Sequence, residues 1–449
     1  MVTTEHKIEL TSYRADFERL AQAPAGREPA WLRARRQTAF ERFAATGFPT
    51  TRQEDWKYTN VAPIARQPYH LAAAAPDVVT PAALAPFRFS EPGWPELVFV
   101  DGHYAPALSS LAGLPDGVRV ASLAEVLAAD EGLINEYLGQ HATHLASGFT
   151  ALNLAFLHDG ALVSLPNGRI VDAPIHLLFV STARDPLAAT HPRVLVVLGR
   201  ASAATVVESY VALGDGPYLT NAVSELVLGE GANLAHYKVL RESLAAYHVG
   251  TTEVYQPRDS VFVSFSIALG AQLARNDLNV LLDAEGADST LNGLYLVDGT
   301  RHVDNHTAID HARPHGTSRE LYKGILDGHS RGVFNGKVVV RPDAQKTDAR
   351  QTNRNILLSE DATIDTKPQL EIFADDVKCA HGAAVGQLDP QAVFYLRSRG
   401  LSPEAARRLL TYGFASDITS QIKIEPLRAQ LDALLLATVQ TGSLAKESS

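Results

Sequence analysis

From about Ala161 to Leu388 the chain is a succession of short β-prone runs with no helix-length periodic segment between them, and that texture rules out most architectures at once. The runs Ile175–Val180, Val194–Leu198, Leu226–Leu228, Val261–Phe265, Val338–Val340 and Ile356–Leu358 alternate with small turns. The turns resemble one another: Gly229-Glu-Gly-Ala-Asn233, Glu285-Gly-Ala-Asp288, Pro342-Asp-Ala-Gln345 and Glu360-Asp-Ala-Thr363. Many short strands without intervening helices point to a solenoid, a sandwich or a propeller. The similar turns recur at irregular spacings of roughly 20 to 30 residues, as they do when each solenoid coil holds several strands. One stretch chooses among these. Gln345 to Asn355 has Ala349 as its only apolar residue, although strands flank it closely. A sandwich strand needs an apolar inward face. A parallel β-helix can instead stack small polar residues, Asn and Gln in hydrogen-bonded ladders. The expected fold is therefore mainly β, with a parallel β-helix core.

That core is expected over residues 146–388, between a helical and irregular N-terminal domain (1–145) and a C-terminal helical domain with a disordered tail (389–449). Near the N-terminus Leu32, Ala39, Phe40 and Phe43 recur at i, i+7, i+8 and i+11, with Arg33, Arg35, Arg36 and Arg42 for the wet side; Gly47 and Pro49 end that helix. The seven prolines from Pro63 to Pro95 predict a loop or linker layer. A strand at Leu97–Val100 and a short helix over Gly148–Leu157 follow. Past Asp389, Ser402 can cap a helix with Pro403 at its first turn. Leu401, Ala405 and Leu409 would line one side, Arg407 and Arg408 the other, with Gly413 as the stop. A last helix begins near Pro426 and aligns Leu427, Leu431, Leu434 and Leu435.

Composition removes several functions. A net charge of −10 argues against nucleic acid, which needs a concentrated positive surface. No apolar run approaches the roughly 20 residues that span a bilayer. The single cysteine, Cys379, excludes an internal disulfide. With no apolar signal stretch in Met1–Leu10, it points to the cytoplasm. One thiolate also cannot supply the four typical of an iron–sulfur cluster.

Nucleotide motifs are missing. Gly332-Val-Phe-Asn-Gly336-Lys337 faintly resembles a phosphate-binding loop but has too few residues between its glycines and no following Ser or Thr. His302, His306, His311 and His315 could suggest zinc. On a strand, however, His302 and His306 share a face and His311 takes the other. The plainer expectation is that these are satisfied polar residues on the coils. Asp376-Val-Lys-Cys379-Ala-His381-Gly382 is different, because Cys379 and His381 lie two apart and would project from one face of a strand. Thiolate and imidazole both suit iron, Lys378 could lower the thiol pKa, and a buried inert cysteine is the bland alternative.

Four blocks resemble the SufB/SufD family: Thr347-Asp-Ala-Arg-Gln-Thr-Asn-Arg-Asn-Ile-Leu-Leu358, Asp365-Thr-Lys-Pro-Gln-Leu-Glu-Ile372, Asp376–Gly382 and Phe394-Tyr-Leu-Arg-Ser-Arg-Gly400. Arg52-Gln-Glu-Asp-Trp-Lys-Tyr-Thr59 and the absence of cysteine upstream of Cys379 are similar to its SufD branch. The resemblance implies a right-handed parallel β-helix between helical domains and a non-catalytic scaffold role in iron–sulfur cluster assembly. It implies pairing with SufB and docking of the ATPase SufC, with an isolated chain able to form a homodimer. No cofactor would be held stably by the chain alone; a transient Fe–S cluster would be shared with the partner. It places His381 at the partner interface beside that cluster, with Cys379 adjacent. Phe394, Arg397, Arg407, Leu410, Tyr412 and Phe414 fall in the segment that holds the ATPase. Gly316 stands where many relatives have cysteine. The enzymatic alternative is a β-helix polysaccharide lyase or hydrolase, using Asp304, Asp310, Arg319 and Lys323. A third is a plain adaptor that never touches the cluster.

Overall fold

The computed structural model describes residues 4–22, 28–74, 78–89, 91, 93–129, 132–143, 145 and 147–440. Its strands form an 11-stranded and a 10-stranded sheet, and from Arg193–Leu198 onward successive strands alternate between the two. In the first sheet Leu273–Leu282, His302–His311, Arg331–Val340 and Thr363–Ile372 stack in parallel. In the second, Asp288–Val297, Thr317–Leu326, Asp348–Leu357 and Lys378–Gly386 do the same. This is a parallel β-solenoid, with a coil of roughly thirty residues. Because side chains alternate along a strand, each coil sends every second residue into a shared interior. Leu226, Val254, Val280, Ile309 and Val338 are cross-strand neighbours in one such row, and all are buried. Each full burial of this kind stabilises by about 1.5–3 kcal/mol.

The turns stack as closely as the strands. Gly328 sits at φ 64°, and a Cβ there would meet the Gly299 backbone nitrogen at 3.1 Å, so the corner of one coil rests on the corner before it. The His329 N–H donates to the Gly299 carbonyl at 2.8 Å, tying the two corners together.

The polar stretch that selected this fold lies in the strand Asp348–Leu357. Gln351, Asn353 and Asn355 face the interior and are buried. The Tyr295 hydroxyl donates to Asn355 Oδ1 at 2.5 Å, Asn355 Nδ2 to Asn353 Oδ1 at 2.6 Å, and the Thr366 hydroxyl to Asn353 Oδ1 at 2.9 Å. The polar layer is a mixed network of Tyr, Asn and Thr instead of a ladder of like residues. One rung back, Glu320 accepts from Gln351 Nε2 at 2.7 Å. Burial pushes its carboxyl up to about 7, against the opposing hydrogen bonds from Thr307 and Gln351.

The chain ends wrap the outside of this core. Ala30–Thr46 ends at Gly47, and together with Gly148–Ala155 it covers the outward side of the early strands of the first sheet, using Phe40, Phe43, Phe149 and Phe156. Within the proline-rich 63–95 region, short helices at Ala62–Ala65 and Pro81–Leu84 pack inward through Ile64 and Leu84. Glu96–Val100 joins the second sheet beside Ile175–Ser181, and Arg119–Ser122 runs antiparallel to Gly160–Leu165 in the first.

At the other end Pro403–Thr419 and Glu425–Gln440 lie along the outward flank of the second sheet. Gly413 does not stop its helix. Ala415 and Ile418, one turn further on, are buried against the sheet, which outweighs the roughly 1 kcal/mol that an interior glycine costs. Packing also rotates the helix from the expected face: Ala406, Thr411, Ala415 and Ile418 are buried, and Leu409 is 50% exposed. Leu427, Leu431 and Leu435 are spent on the same flank. The tail expected to be disordered falls largely on 441–449, outside the described residues.

Glu320 carries a testable consequence. Its folded pKa lies above the ordinary carboxylate value, so the folded state holds the proton to higher pH than the unfolded state. Stability from this group is full below about pH 4.5 and falls as pH rises toward 7, by about 3 kcal/mol in all. Urea unfolding of Glu320→Gln at pH 5 and pH 8 should show a smaller pH-dependent loss than the wild type. An unchanged loss would show that Glu320 titrates normally.

Candidate functional site

The two ends of the solenoid differ. At the N-terminal end antiparallel strands turn back on the sheets. At the other end the terminal strands Thr363–Ile372 and Lys378–Gly386 pair only with the preceding coil, and among the described residues nothing pairs with their outer edges. Burial vanishes with pairing. Asp348–Leu357 alternates buried with accessible residues, while Lys378–Gly386 is exposed at every position but Cys379. Ile372, Phe373 and Val385 add exposed apolar side chains to this end.

Cys379 and His381 lie here. In register they sit beside Ala349 and Gln351, which face the interior, so both project from the inner face of the last strand. Cys379 is half-buried against the core and His381 is exposed. Burial pushes the Cys379 thiol above its ordinary range, with nearby Asp348 adding to the effect and a hydrogen bond from the Ala349 backbone opposing it. Lys378, on the opposite face, does not activate it. Together they present one soft and one intermediate donor at an open surface, which suits iron. Among the described residues, no group of three His, Cys, Asp or Glu could hold a metal ion. Any cluster built here would therefore draw further ligands from elsewhere.

The C-terminal candidates divide. Phe394 is 70% exposed on the helix Pro390–Ser398, where no residue is buried, and Arg397 is exposed beside it. Arg407 is exposed and donates to the Leu358 carbonyl at 3.3 Å. Leu410 is half-buried. Tyr412 and Phe414 pack partly on the solenoid flank, with Lys323 Nζ 3.9 Å from the Phe414 ring centre. Tyr395 and Leu409, absent from the expected set, join Phe394 as exposed apolar side chains.

The remaining sequence candidates resolve as structure. His302 donates to the Thr59 hydroxyl at 2.8 Å, His306 lies 3.1 Å from Asp304, and His311 turns inward to Ser318 at 2.9 Å. Gly316 is small because a Cβ there would stand 2.7 Å from His311 Nδ1. Gly332–Lys337 is mid-strand and forms no loop. Asp304 and Asp310 face outward from the first sheet, while Arg319 and Lys323 face outward from the second, so the polysaccharide set never converges.

Sequence reasoning missed what Arg52–Thr59 does. Trp56 stacks on Arg275, whose guanidinium carbon lies 3.8 Å from the ring centre. Arg275 Nη1 also reaches the Asp55 carbonyl at 2.6 Å and Asp304 at 2.8 Å, and the Thr59 hydroxyl donates to Asp304 at 2.5 Å. Burial opposes ionisation of Asp304, yet Arg275, His306 and Thr59 hold its carboxyl well below the usual range. The segment straps the N-terminal domain over a polar cleft of about 470 Å³ on the first sheet. In that cleft burial drives Glu253 up to about 8. The motif's residue types gave the only signal, because the contacts of Asp55 and Thr59 with the buried Arg275–Asp304 pair span more than 200 residues and have no local pattern. Thr59→Val, which keeps the shape and removes the hydroxyl, should cost about 1–3 kcal/mol. Denaturant titration checks this, and an unshifted midpoint would make the strap passive.

The fold is that of a parallel β-solenoid closed at one end and open at the other, with Cys379 and His381 at the opening. The chain belongs to the SufBD family. The model for the SUF system FeS cluster assembly SufBD core domain matches residues 179–414, and that for the SufBD protein N-terminal region matches 9–177. It is 35% identical over 415 residues to an iron–sulfur cluster assembly SufBD family protein of Synechocystis, covering 91% of each chain. It is 31% identical over 411 residues to the iron–sulfur cluster assembly protein SufD of Escherichia coli, covering 88% of this chain and 90% of that one. The SufD of Bacillus subtilis is 27% identical over 423 residues, 91% and 94% of the two chains. These relatives bear out the likeness to the SufD branch.

Proposed function

We propose that the chain is a non-catalytic cytoplasmic scaffold whose open end pairs with SufB, so that a nascent Fe–S cluster forms between them beside His381 and Cys379. The observation that carries this reading is that the only cysteine and its neighbouring histidine face inward on the last strand, one of two terminal strands whose outer edges are unpaired among the described residues. Long exposed edges are a hazard that proteins cover. A partner solenoid would satisfy both edges and enclose the inner face of the last coil. The cluster is cargo here, held by donors from both subunits. The docking site for SufC is the exposed surface of Phe394, Tyr395 and Leu409, with Arg397 and Arg407 at its rim; Leu427, Leu431 and Leu435 of the final helix serve the solenoid.

Two experiments test the two surfaces. His381→Ala should leave the complex intact, since the side chain is exposed, while cluster assembly falls at least about tenfold. Normal assembly by an intact His381→Ala complex would turn the reading into a plain adaptor. Phe394→Ala should weaken SufC binding by about 2 kcal/mol, roughly 30-fold in Kd, if this aromatic anchors the interface. Calorimetry with purified SufC measures it, and SufB pairing should be unaffected. Equal loss of both partners would point to misfolding.

A further inference from the structure

The inner face of the last strand carries Cys379, His381, Ala383 and Val385, and His381 alone among them has a side-chain N–H. One rung back, in register with it, lies Gln351, 1% exposed. Neighbouring strands in a sheet are about 4.8 Å apart, within reach of two extended side chains. Gln351 Nε2 donates to Glu320 at 2.7 Å, which orients the amide, and its Oε1 is buried without a partner. The opposite sheet makes room for this orientation: a Cβ on Gly336 would stand 2.2 Å from Gln351 Nε2. The facing strand offers Ile364, Thr366, Pro368 and Leu370, and the Thr366 hydroxyl already donates to Asn353. A buried carbonyl oxygen left unpaired is costly, so a donor within reach is favoured.

We propose that Gln351 is a positioning residue for His381: its Oε1 accepts the ring N–H, so that the other ring nitrogen is bare and turned toward the cluster. A histidine that binds metal through one nitrogen commonly has its tautomer set by a hydrogen bond at the other. Gln351 supplies that bond from inside the solenoid; Glu320 orients its amide, in the space that Gly336 leaves. The inference rests on the ligand role given to His381 above and goes beyond it, because it names what selects the ligating nitrogen.

The test uses the full chain labelled with ¹⁵N at histidine, with His381→Asn assigning the ring signals. Two variants loosen the amide by different routes: Gln351→Met removes the acceptor, and Gly336→Ala displaces it from the opposite sheet. The wild type should hold His381 in one tautomer, and both variants should mix the two. In complexes with SufB and SufC, both should slow cluster assembly by about tenfold or more while His381 remains present. If Gln351→Met does not fold, Gly336→Ala carries the test alone. Unchanged ring signals, or mixed tautomers with undiminished assembly, would overturn the positioning role while leaving His381 as ligand. Normal assembly by His381→Ala would instead remove the ligand reading, and the ring signals would still report whether the hydrogen bond exists.

Discussion

Every part of this molecule depends on the parallel backbone ladder, which demands that each strand be paired on both sides. Inside the solenoid each coil satisfies the one before it, and the interior fills with rows of identical depth. The demand cannot be met at the last coil by the chain's own strands. There, among the described residues, the ladder ends in two unpaired edges. An unpaired edge in water is tolerable for a short strand, but here it runs the length of Thr363–Ile372 and Lys378–Gly386. The same feature that leaves the fold unfinished displays Cys379 and His381.

The flanking helices follow from the other faces of the same sheets. Outward-facing Tyr237, Phe265, Leu294 and Ile325 form an apolar strip on the second sheet, and the C-terminal helices spend Ile418, Leu427 and Leu431 on it. The first sheet is covered near its start by aromatic packing from the N-terminal helices, then held further along by Trp56 and Thr59 over Arg275 and Asp304. The helices leave Phe394, Tyr395 and Leu409 exposed.

Buried polar groups divide into two kinds. Asn353, Asn355, Tyr295 and Thr366 satisfy one another and make a rigid layer near the opening. Glu320 and Gln351 are incompletely served, and they lie directly behind His381 in register. Incomplete polar satisfaction in low dielectric is costly. Similar orphan atoms lie further back at Asn276, Asn292 and Asn305, so it is register with His381 that links Gln351 to the site.

The sequence by itself determined the class of fold and the pair of residues at the opening. Short β-prone runs, recurrent turns and a polar stretch incompatible with a sandwich are local patterns, and so is the spacing of Cys379 and His381 on one face of a strand. Helix faces were not legible. Which side of Pro403–Thr419 is buried, and whether Gly413 ends it, depends on the strip of sheet it meets. Nor could the sequence show that Arg52–Thr59 is a strap, or that Gln351 sits one rung behind His381. Those depend on register between coils, and register is set by pairing across about thirty residues or more. The tertiary structure alone decided which strand is last, and with it which side chains face an opening and which face a neighbour.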